Sequence, residues 1–568
     1  MEAAAGVQPL APHRRVELAA SAAAVQLRVL QFGAALLPLV YWPWTYDSYV
    51  LPKLLLARTL VLVLAALLVI RWMAAGAITV KRTPLDLPLL AFIASALLST
   101  IAGVNVNVGL FGNYTRYDGL LTLITYAALF WLAVQALKDG EDARGLLRAM
   151  LVGAYLVALL AIGQWMLDKL HGVAIPRAYG TIGNANVLGA YLVMLMGYAY
   201  YELSRPRQAG SRLIAANALC LLGLALLLTV SQSAWLGLAA AAVVLVAGGQ
   251  FRALPRRWQI GSVAAVVAVL AAAAPIIGSR STDIAQRIGI WGDTLRLIAS
   301  RPLLGYGPDT FGLVYPRFQS AEWVLGYAQI DKAHAELLHV AATQGLVGLA
   351  ILLWIMAVFV MTLWRQRRLP VMWPLLAGWV AYQVVLMVNF TAVGSAFPFW
   401  IFAAASMVLM RSTTEARMVP SRSRVPAVAG GVVAAAGLVA LAFSAVVLPY
   451  LADASLRDAV IAEQTFRPGD AAAAAARARD LNPQESVYAA EAGNVAFGNQ
   501  DLAAARAAYL DAARLGTFSP RLFRDLAVVD SDLGLQNEAL AAAQQAVYLD
   551  RFDPANQALL AQMSSPSP

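Results

Sequence analysis

The sequence predicts an all-α, polytopic membrane protein of about 12–13 transmembrane helices, followed by a C-terminal extracytoplasmic domain of α-helical repeats. Three observations predict this fold class. The 568 residues are 60% hydrophobic and only 13% charged, which is a composition typical of membrane proteins. Apolar runs of roughly 20 residues, the length that crosses a bilayer as a helix, follow one another up to about residue 450. The rest of the chain is polar, rich in alanine and interrupted by prolines.

The apolar runs define the predicted spans and the domain limits. The spans are 25–42, 54–75, 85–103, 119–137, 147–167, 186–203, 212–230, 234–250, 259–278, 336–364, 371–390, 396–410 and 425–450. Residues 1–24 are predicted as a cytoplasmic arm, and 25–410 as a membrane core with a large loop at 279–335. A basic linker and the last span follow at 411–452, before the tail at 453–568.

Basic residues orient these spans. Every loop after an even-numbered span is basic, as cytoplasmic loops are. The basic residues of these loops are Arg71, Lys81, Arg82, Lys138, Arg144, Arg205, Arg207, Arg212, Arg252, Arg256, Arg257, Arg365, Arg367, Arg368, Arg411, Arg417, Arg422 and Arg424. The N-terminus is then cytoplasmic, whereas the loop 279–335 and the tail lie outside.

Composition also disfavours several functions. The single cysteine, Cys220, excludes intramolecular disulfides and thiolate metal clusters. The net charge of +10 is spread between the spans, so a nucleic-acid partner is not expected. No Asp or Glu lies near the middle of a span, although ion-coupled pumps need ionisable groups there. Arg58, inside span two, is expected to extend its charge towards the membrane surface.

The tail carries a repeat. Pro483, Pro520 and Pro554 are spaced 37 and 34 residues apart and close similar helical segments. This spacing predicts about three tetratricopeptide-like repeats, which bind protein partners. A generic helical bundle is the alternative.

The loop 279–335 is unusually basic for an outer loop. Its basic residues are Arg280, Arg287, Arg296, Arg301, Arg317 and Lys332. An amphipathic helix is predicted by the apolar spacing of Ile284, Ile288, Trp291, Leu295 and Ile298. Arg287 lies near its start, where a guanidinium suits a phosphate at the membrane interface. Anchoring to lipid headgroups is the alternative for each of these arginines.

His334 opens the next apolar helix and is the candidate catalytic residue. The run from Ala335 to Trp364 would be about 45 Å long, against a hydrocarbon core of about 30 Å. Its first turns should therefore stand in the outer interface, with a break near Gly345. A histidine there suits a general base, and Glu336 follows two residues later. Packing without a chemical role is the alternative.

Two earlier outer segments are candidates for substrate binding. NYTRYDG places Arg116 just before span four. RAYGTIGNANVLGAYL places Arg177, Asn184 and Asn186 at the start of span six. An ordinary interfacial loop has the same composition.

Taken together, these segments resemble the O-antigen ligase/O-antigen polymerase family. The matching segments are GTIGNANVLGAYL, the R-x3-W of Arg287 to Trp291, RPLLGYGPDTF and AHAELLHVAATQGLVG, in family order over about residues 110–410. Some members of the family also carry tetratricopeptide-like tails.

The resemblance implies a GT-C-type fold and a metal-independent glycosyltransferase that needs no cofactor. The enzyme would act in the bacterial cytoplasmic membrane, among membrane lipids, at its outer face. It would transfer a glycan from undecaprenyl pyrophosphate with inversion. The acceptor would be lipid A–core, another lipid-linked glycan or a protein Ser or Thr.

The resemblance also assigns site residues. His334 matches the catalytic histidine, and Arg287 matches an arginine at the donor pyrophosphate. Gln232 stands where the family often has a further arginine. Arg116, Arg177 or Arg280 would then supply the missing charge.

Alternatives remain at this stage. The motifs fit an O-antigen ligase or a related polysaccharide polymerase, and a protein O-oligosaccharyltransferase of the same superfamily is the alternative. A lipid-linked glycan flippase, from another class, would carry polar residues through its spans. A membrane-anchored repeat scaffold would not need so many spans.

Overall fold

The computed structural model describes residues 12–174, 176–205, 209–250, 256, 260–261, 281–320, 329–418 and 435–565. The helices before the large loop are α1 (Pro12–Leu36), α2 (Val50–Ala75), α3 (Asp86–Ile101), α4 (Val106–Phe111), α5 (Leu120–Ala136), α6 (Gly140–Leu170), α7 (Ala185–Ser204), α8 (Ala209–Leu228) and α9 (Gln232–Ala247). Those from the large loop to the last span are α10 (Ser281–Ser300), α11 (Phe311–Val314), α12 (Glu336–Arg365), α13 (Met372–Leu386), α14 (Val393–Leu409) and α15 (Leu448–Gln464). The tail forms α16 (Pro468–Leu481), α17 (Ser486–Gly498), α18 (Leu502–Leu515), α19 (Pro520–Asp532), α20 (Gln536–Leu549) and α21 (Pro554–Ser564).

The helices have the length and composition of membrane spans. Five described helices are long and apolar enough to cross a membrane, and shorter apolar helices of 10–17 residues accompany them. The five are His13–Leu39, Val50–Ala75, Gly140–Leu170, Glu336–Arg365 and Ala435–Gln464. The protein is therefore an all-α, polytopic membrane protein. Of the predicted span 259–278 only residues 260–261 are described, and each other predicted span overlaps a helix.

The first helix begins earlier than expected. Residues 12–24, assigned to an arm before the first span, form the first turns of α1. This segment is rich in alanine, the strongest helix former, so the helix continues beyond the apolar run.

Helix α7 forms the centre of the bundle, and nearly all of its side chains are buried. A β-carbon at Gly197 would lie 2.3 Å from the carbonyl oxygen of Pro374. Only glycine permits this approach of α7 to α13, as is common where membrane helices pack closely.

A short antiparallel sheet joins the loops after spans two and twelve. Strand β1 (Ile78–Arg82) pairs with β2 (Thr414–Met418), so that Val80 faces Ala416. These strands were not predicted from the sequence. Lys81 also donates to the carbonyl of Leu137, the last residue of span four, at the start of the loop that follows it. Loops predicted to share one side of the membrane thus meet at one end of the bundle, here called the sheet end.

At the opposite end, here called the site end, the segments 102–119, 302–310, 331–335 and 387–394 meet. The predicted break in α12 lies here and is confirmed, since Gly345 has φ 70° and ψ −176°. The segment 302–307 inserts into the break. Leu346 donates to the carbonyl of Pro302 over 2.7 Å, and Gly307 donates to that of Thr343 over 2.8 Å.

The tail helices pack as antiparallel neighbours around buried alanines and aromatic side chains. They also contact the site end of the membrane part. Asn107 Nδ2 donates to the carbonyls of Gln484 and Leu515 over 2.9 and 3.0 Å. The helical tail was predicted, and its assignment to the tetratricopeptide class stays a prediction.

Candidate functional site

A buried ion cluster of Lys332, Asp118 and Asp309 joins three loops at the site end. The fully buried Lys332 ammonium lies 2.7 Å from Asp118 Oδ2 and 2.8 Å from Asp309 Oδ1. Burial alone would lower the pKa of Lys332, but the two carboxylates outweigh it and raise that pKa. Asp309 Oδ2 also accepts the backbone N–H of Asn113 over 2.7 Å. The cluster therefore fixes the segment before α12 against the loop before α5.

Arg116 and Phe390 lie beside this cluster. Arg116 Nε is 2.5 Å from Asp331 Oδ2. Burial would raise the pKa of Asp331, but the Arg116 guanidinium outweighs it and holds that pKa below its usual value. The guanidinium carbon of Arg116 lies 5.2 Å from the centroid of the Phe390 ring. Phe390 belongs to the connection between α13 and α14, so the pair brings a fourth segment to the site.

His334 stands at the centre of these contacts. Its imidazole meets the Phe390 ring edge to face, with centroids 5.4 Å apart. Its φ of 50° is left-handed, which is a strained conformation for a residue with a side chain. Burial, followed by the positive charge of Arg287, lowers the pKa of His334 to about 4 despite the nearby carboxylate of Asp331. Its imidazole is therefore neutral at pH 7 and can accept a proton.

Helix α10 places Arg287 and Trp291 against the His334 segment. Trp291 Nε1 donates to the carbonyl of His334 over 3.4 Å. Arg287 donates through Nη1 to the carbonyl of Val388, two residues before Phe390. The predicted R-x3-W pair thus reaches the segments on both sides of the imidazole. Arg287 is also the charged residue that most strongly shifts the pKa of His334.

The predicted amphipathic helix is present as α10, and Ile290, Leu297 and Ile298 pack it on the protein. Ile288 and Leu295 are more than half exposed. The buried face also includes Asp293, which accepts from the hydroxyl of Tyr315 over 3.0 Å and from the backbone N–H of Ser320 over 2.9 Å. The bonds of Asp293 therefore fix this part of α10 against the loop that follows it.

Glu336, in the first turn of α12, contacts the segment that carries Phe390. Its Oε2 accepts the backbone N–H of Thr391 over 2.7 Å. This bond fixes the residue after Phe390, so Glu336 orients the Phe390 segment in the described structure.

Arg177, Asn184 and Asn186 form a separate group. Arg177 Nη2 donates to Asn186 Oδ1 over 2.8 Å, and its Nε donates to the carbonyl of Thr229 over 2.9 Å. The Asn184 side chain caps the start of α7. These residues connect α7 to the turn between α8 and α9, and a role in substrate binding stays a prediction.

Gln232 begins α9 and is connected to the Phe390 segment through its neighbour. Asn389 Nδ2 donates to Ser233 Oγ over 2.7 Å. The predicted start of span eight therefore lies against the segment that carries Phe390. Arg280, the remaining candidate, lies outside the described residues.

Some residues of the site were not predicted. Asp309 belongs to the quoted RPLLGYGPDTF motif, and Lys332 directly precedes the segment of His334. Their pairing with Asp118 crosses the chain, since Asp118 and Lys332 are 214 residues apart in sequence. One lysine and two aspartates this far apart form no recognisable sequence motif, so the sequence alone did not reveal their contact.

An apolar groove leads from the site into the bundle. Asp118, Asp309 and Glu336 lie at its polar end, and Phe359, Trp379 and Trp400 line its deeper part. The deeper part of the groove is lined by residues of α12, α13 and α14. Within the part of the chain that the structure describes, no group of three or more His, Cys, Asp or Glu side chains is placed to hold a metal ion.

Part of the chain is similar to a known protein family. A model of the family described as O-antigen ligase matches residues 216–353. No curated protein matches the chain. The matched segment extends from α8 into α12 and includes Arg287, Lys332 and His334. The comparison therefore supports the O-antigen ligase family for this integral membrane protein, and with it an enzyme of the glycosyltransferase type.

Proposed function

We propose that the protein transfers a glycan from undecaprenyl pyrophosphate to an acceptor hydroxyl at the outer face of the bacterial cytoplasmic membrane. One observation carries the proposal. A neutral, strained histidine stands among basic side chains, and Glu336, two residues further on, lies at the polar end of an apolar groove. This arrangement suits a donor that combines a polyprenyl chain, a pyrophosphate and a sugar.

The donor would lie along the groove with its pyrophosphate near Arg287 and Arg116. The leaving pyrophosphate gains negative charge as the anomeric C–O bond breaks. Preplaced guanidinium groups stabilise that charge more strongly in the transition state than in the ground state. Because Asp331 holds Arg116 in place, its charge is oriented before the donor arrives.

His334 would act as the general base. The acceptor oxygen attacks the anomeric carbon from the side opposite the pyrophosphate, and its proton passes to the imidazole. One C–O bond forms, one breaks, and undecaprenyl pyrophosphate leaves, so the anomeric centre is inverted. A bound anion would partly neutralise the cations around His334 and raise its pKa. The base would thereby become stronger when the donor is present.

The test is a transfer assay with purified protein and undecaprenyl-pyrophosphate-linked oligosaccharide. Lipid A–core, a second lipid-linked glycan and a Ser/Thr-containing protein would each be offered as acceptor. Modification of one of them would distinguish ligase, polymerase and protein O-oligosaccharyltransferase. The anomeric configuration of the product, read by NMR, would test inversion.

The variant His334→Ala is expected to lower the transfer rate by about 10²–10⁴-fold, the range for loss of a general base. His171→Ala is the matched control, because His171 is exposed at the end of α6. Transfer by folded His334→Ala at the wild-type rate would exclude the assigned base. Absence of transfer to all three acceptors by the wild-type protein would contradict the proposed reaction.

A further inference from the structure

A second cavity lies on the other side of α5 from the groove. It has a volume of about 470 Å³ and is bounded by α2, α5, the last span and the turn between α16 and α17. Leu121, Ile124 and Leu441 line it and are exposed at the surface of the bundle. The cavity is therefore open sideways, where lipid chains would lie. No residue of the catalytic proposal lines it.

Arg58 brings a positive charge into this cavity. Its Nη1 donates to the carbonyl of Ala445 over 3.1 Å. Within the described part of the chain, no carboxylate forms a salt bridge with Arg58. Ala445 lies in a π-helical turn, Phe443–Val447, and such turns often occur at functional sites. Arg58 therefore contacts the neighbouring span, and its extension towards the membrane surface stays a prediction.

Tyr117 supplies a second, independent observation. Its hydroxyl is buried, lines the cavity and has no hydrogen-bond partner among the described residues. It also lies close enough to Arg58 to interact with it electrostatically. A buried hydroxyl without a partner costs free energy, so its retention beside an arginine indicates a missing acceptor.

The acidic side chain that lines the cavity, Glu485, is compatible with a bound anion. Glu485 lies in the turn that covers the cavity at the site end. Burial raises the pKa of Glu485 to about 8. The carboxyl group is then mostly protonated at pH 7, so it can donate a hydrogen bond instead of repelling a negative group.

We propose that this cavity binds the phosphate headgroup of an anionic lipid, with Arg58 as the cation and the Tyr117 hydroxyl as a hydrogen-bond donor. The lipid chain would leave through the opening between α5 and the last span. The C-terminal helices would cover the headgroup. A polyprenyl phosphate and a phospholipid share this chemistry, and the experiment distinguishes them.

The experiment is photo-crosslinking of the full-length protein in nanodiscs. Three diazirine-bearing probes would be compared: an undecaprenyl phosphate analogue, a phosphatidylglycerol and an uncharged diacylglycerol. Labelled peptides would be mapped by mass spectrometry. The anionic probes are expected to label peptides of α2 and of Ala435–Gln464, and the probe that labels more strongly identifies the lipid class.

Arg58→Gln is expected to reduce this labelling about tenfold, the loss expected for one charge-assisted hydrogen bond. Tyr117→Phe should reduce it less, and Arg58→Lys should retain most of it. Arg71→Gln is the matched control, because Arg71 lies at the sheet end of the same helix and donates to Gln26 and Gln135. Equal labelling of wild type and Arg58→Gln, or equal labelling by the uncharged probe, would overturn the proposal. Size-exclusion profiles would show whether Arg58→Gln is misfolded. If it is, reduced labelling of Tyr117→Phe would support the proposal, and unchanged labelling of Tyr117→Phe would overturn it.

Discussion

At the scale of single residues, the protonation of His334 depends on its charged neighbours. Burial and the guanidinium of Arg287 keep the pKa of its imidazole at about 4. A general base must be unprotonated in the free enzyme, so kcat/KM should stay high at neutral pH. It should fall only as the pH decreases through about 4.

Arg287→Gln tests this dependence. Removing the positive charge favours the protonated imidazole, so the pKa of His334 rises and the acid limb of the kcat/KM profile moves to higher pH. The rate at neutral pH should fall by about 10²-fold, because the group proposed to stabilise the leaving pyrophosphate is lost. Arg296→Gln on the same helix is the control, since Arg296 is exposed and paired with Asp293. An unchanged acid limb in Arg287→Gln would show that the charge of Arg287 does not lower the pKa of the general base, His334.

The buried Lys332 predicts a stability effect. Lys332→Met removes the ammonium and leaves Asp118 and Asp309 facing each other in a buried site. Breaking such a cluster costs about 3–5 kcal/mol of unfolding free energy. The exposed pair of Arg514 and Asp511 offers a contrast, since Arg514→Ala should cost less than about 1 kcal/mol. Thermal unfolding in detergent would compare the two, and equal small shifts would refute the structural role of Lys332.

At the scale of elements, the break in α12 depends on Gly345. A β-carbon there would lie 2.0 Å from the carbonyl oxygen of Leu303, and its φ of 70° disfavours other residues. Gly345→Ala is therefore expected to cost about 2–4 kcal/mol and to displace the segment 302–307. Gly163→Ala, in the continuous helix α6, has nothing within 4 Å of its added carbon. It should stabilise the protein slightly, and a similar stabilisation by Gly345→Ala would show that the break is unnecessary.

The elements also show which features the sequence can predict. The mismatch between the length of an apolar run and the thickness of a bilayer predicted the break near Gly345, because both lengths are fixed by geometry. Local spacing predicted α10, but the burial of Asp293 depends on bonds to a later loop and could not be read from the spacing. The proposed role of His334 followed from its place between loop and span and from the family resemblance. Its contact with Phe390 did not, since that contact depends on the packing of α12 against α13 and α14.

At the scale of the whole molecule, the two ends of the bundle make the topology testable. Charge patterning placed the loops after even-numbered spans in the cytoplasm, and the structure brings three of them together at the sheet end. The tail packs instead on the site end. Its docking includes Asp453, which accepts from the backbone N–H of Asp47 over 2.9 Å and from the hydroxyl of Tyr488 over 3.2 Å. The tail and His334 should therefore face the same side of the membrane.

Cysteine labelling decides which side that is. In a Cys220→Ser background, Arg514→Cys reports on the tail and Glu415→Cys on β2, and both positions are exposed. A membrane-impermeant maleimide added to spheroplasts should label the cysteine at position 514, because cytoplasmic loops are the basic ones. The cysteine at 415 should react only after the membrane is permeabilised. The reverse pattern would place His334 in the cytoplasm, where it could not serve transfer at the outer face, and would contradict both the topology and the proposed reaction.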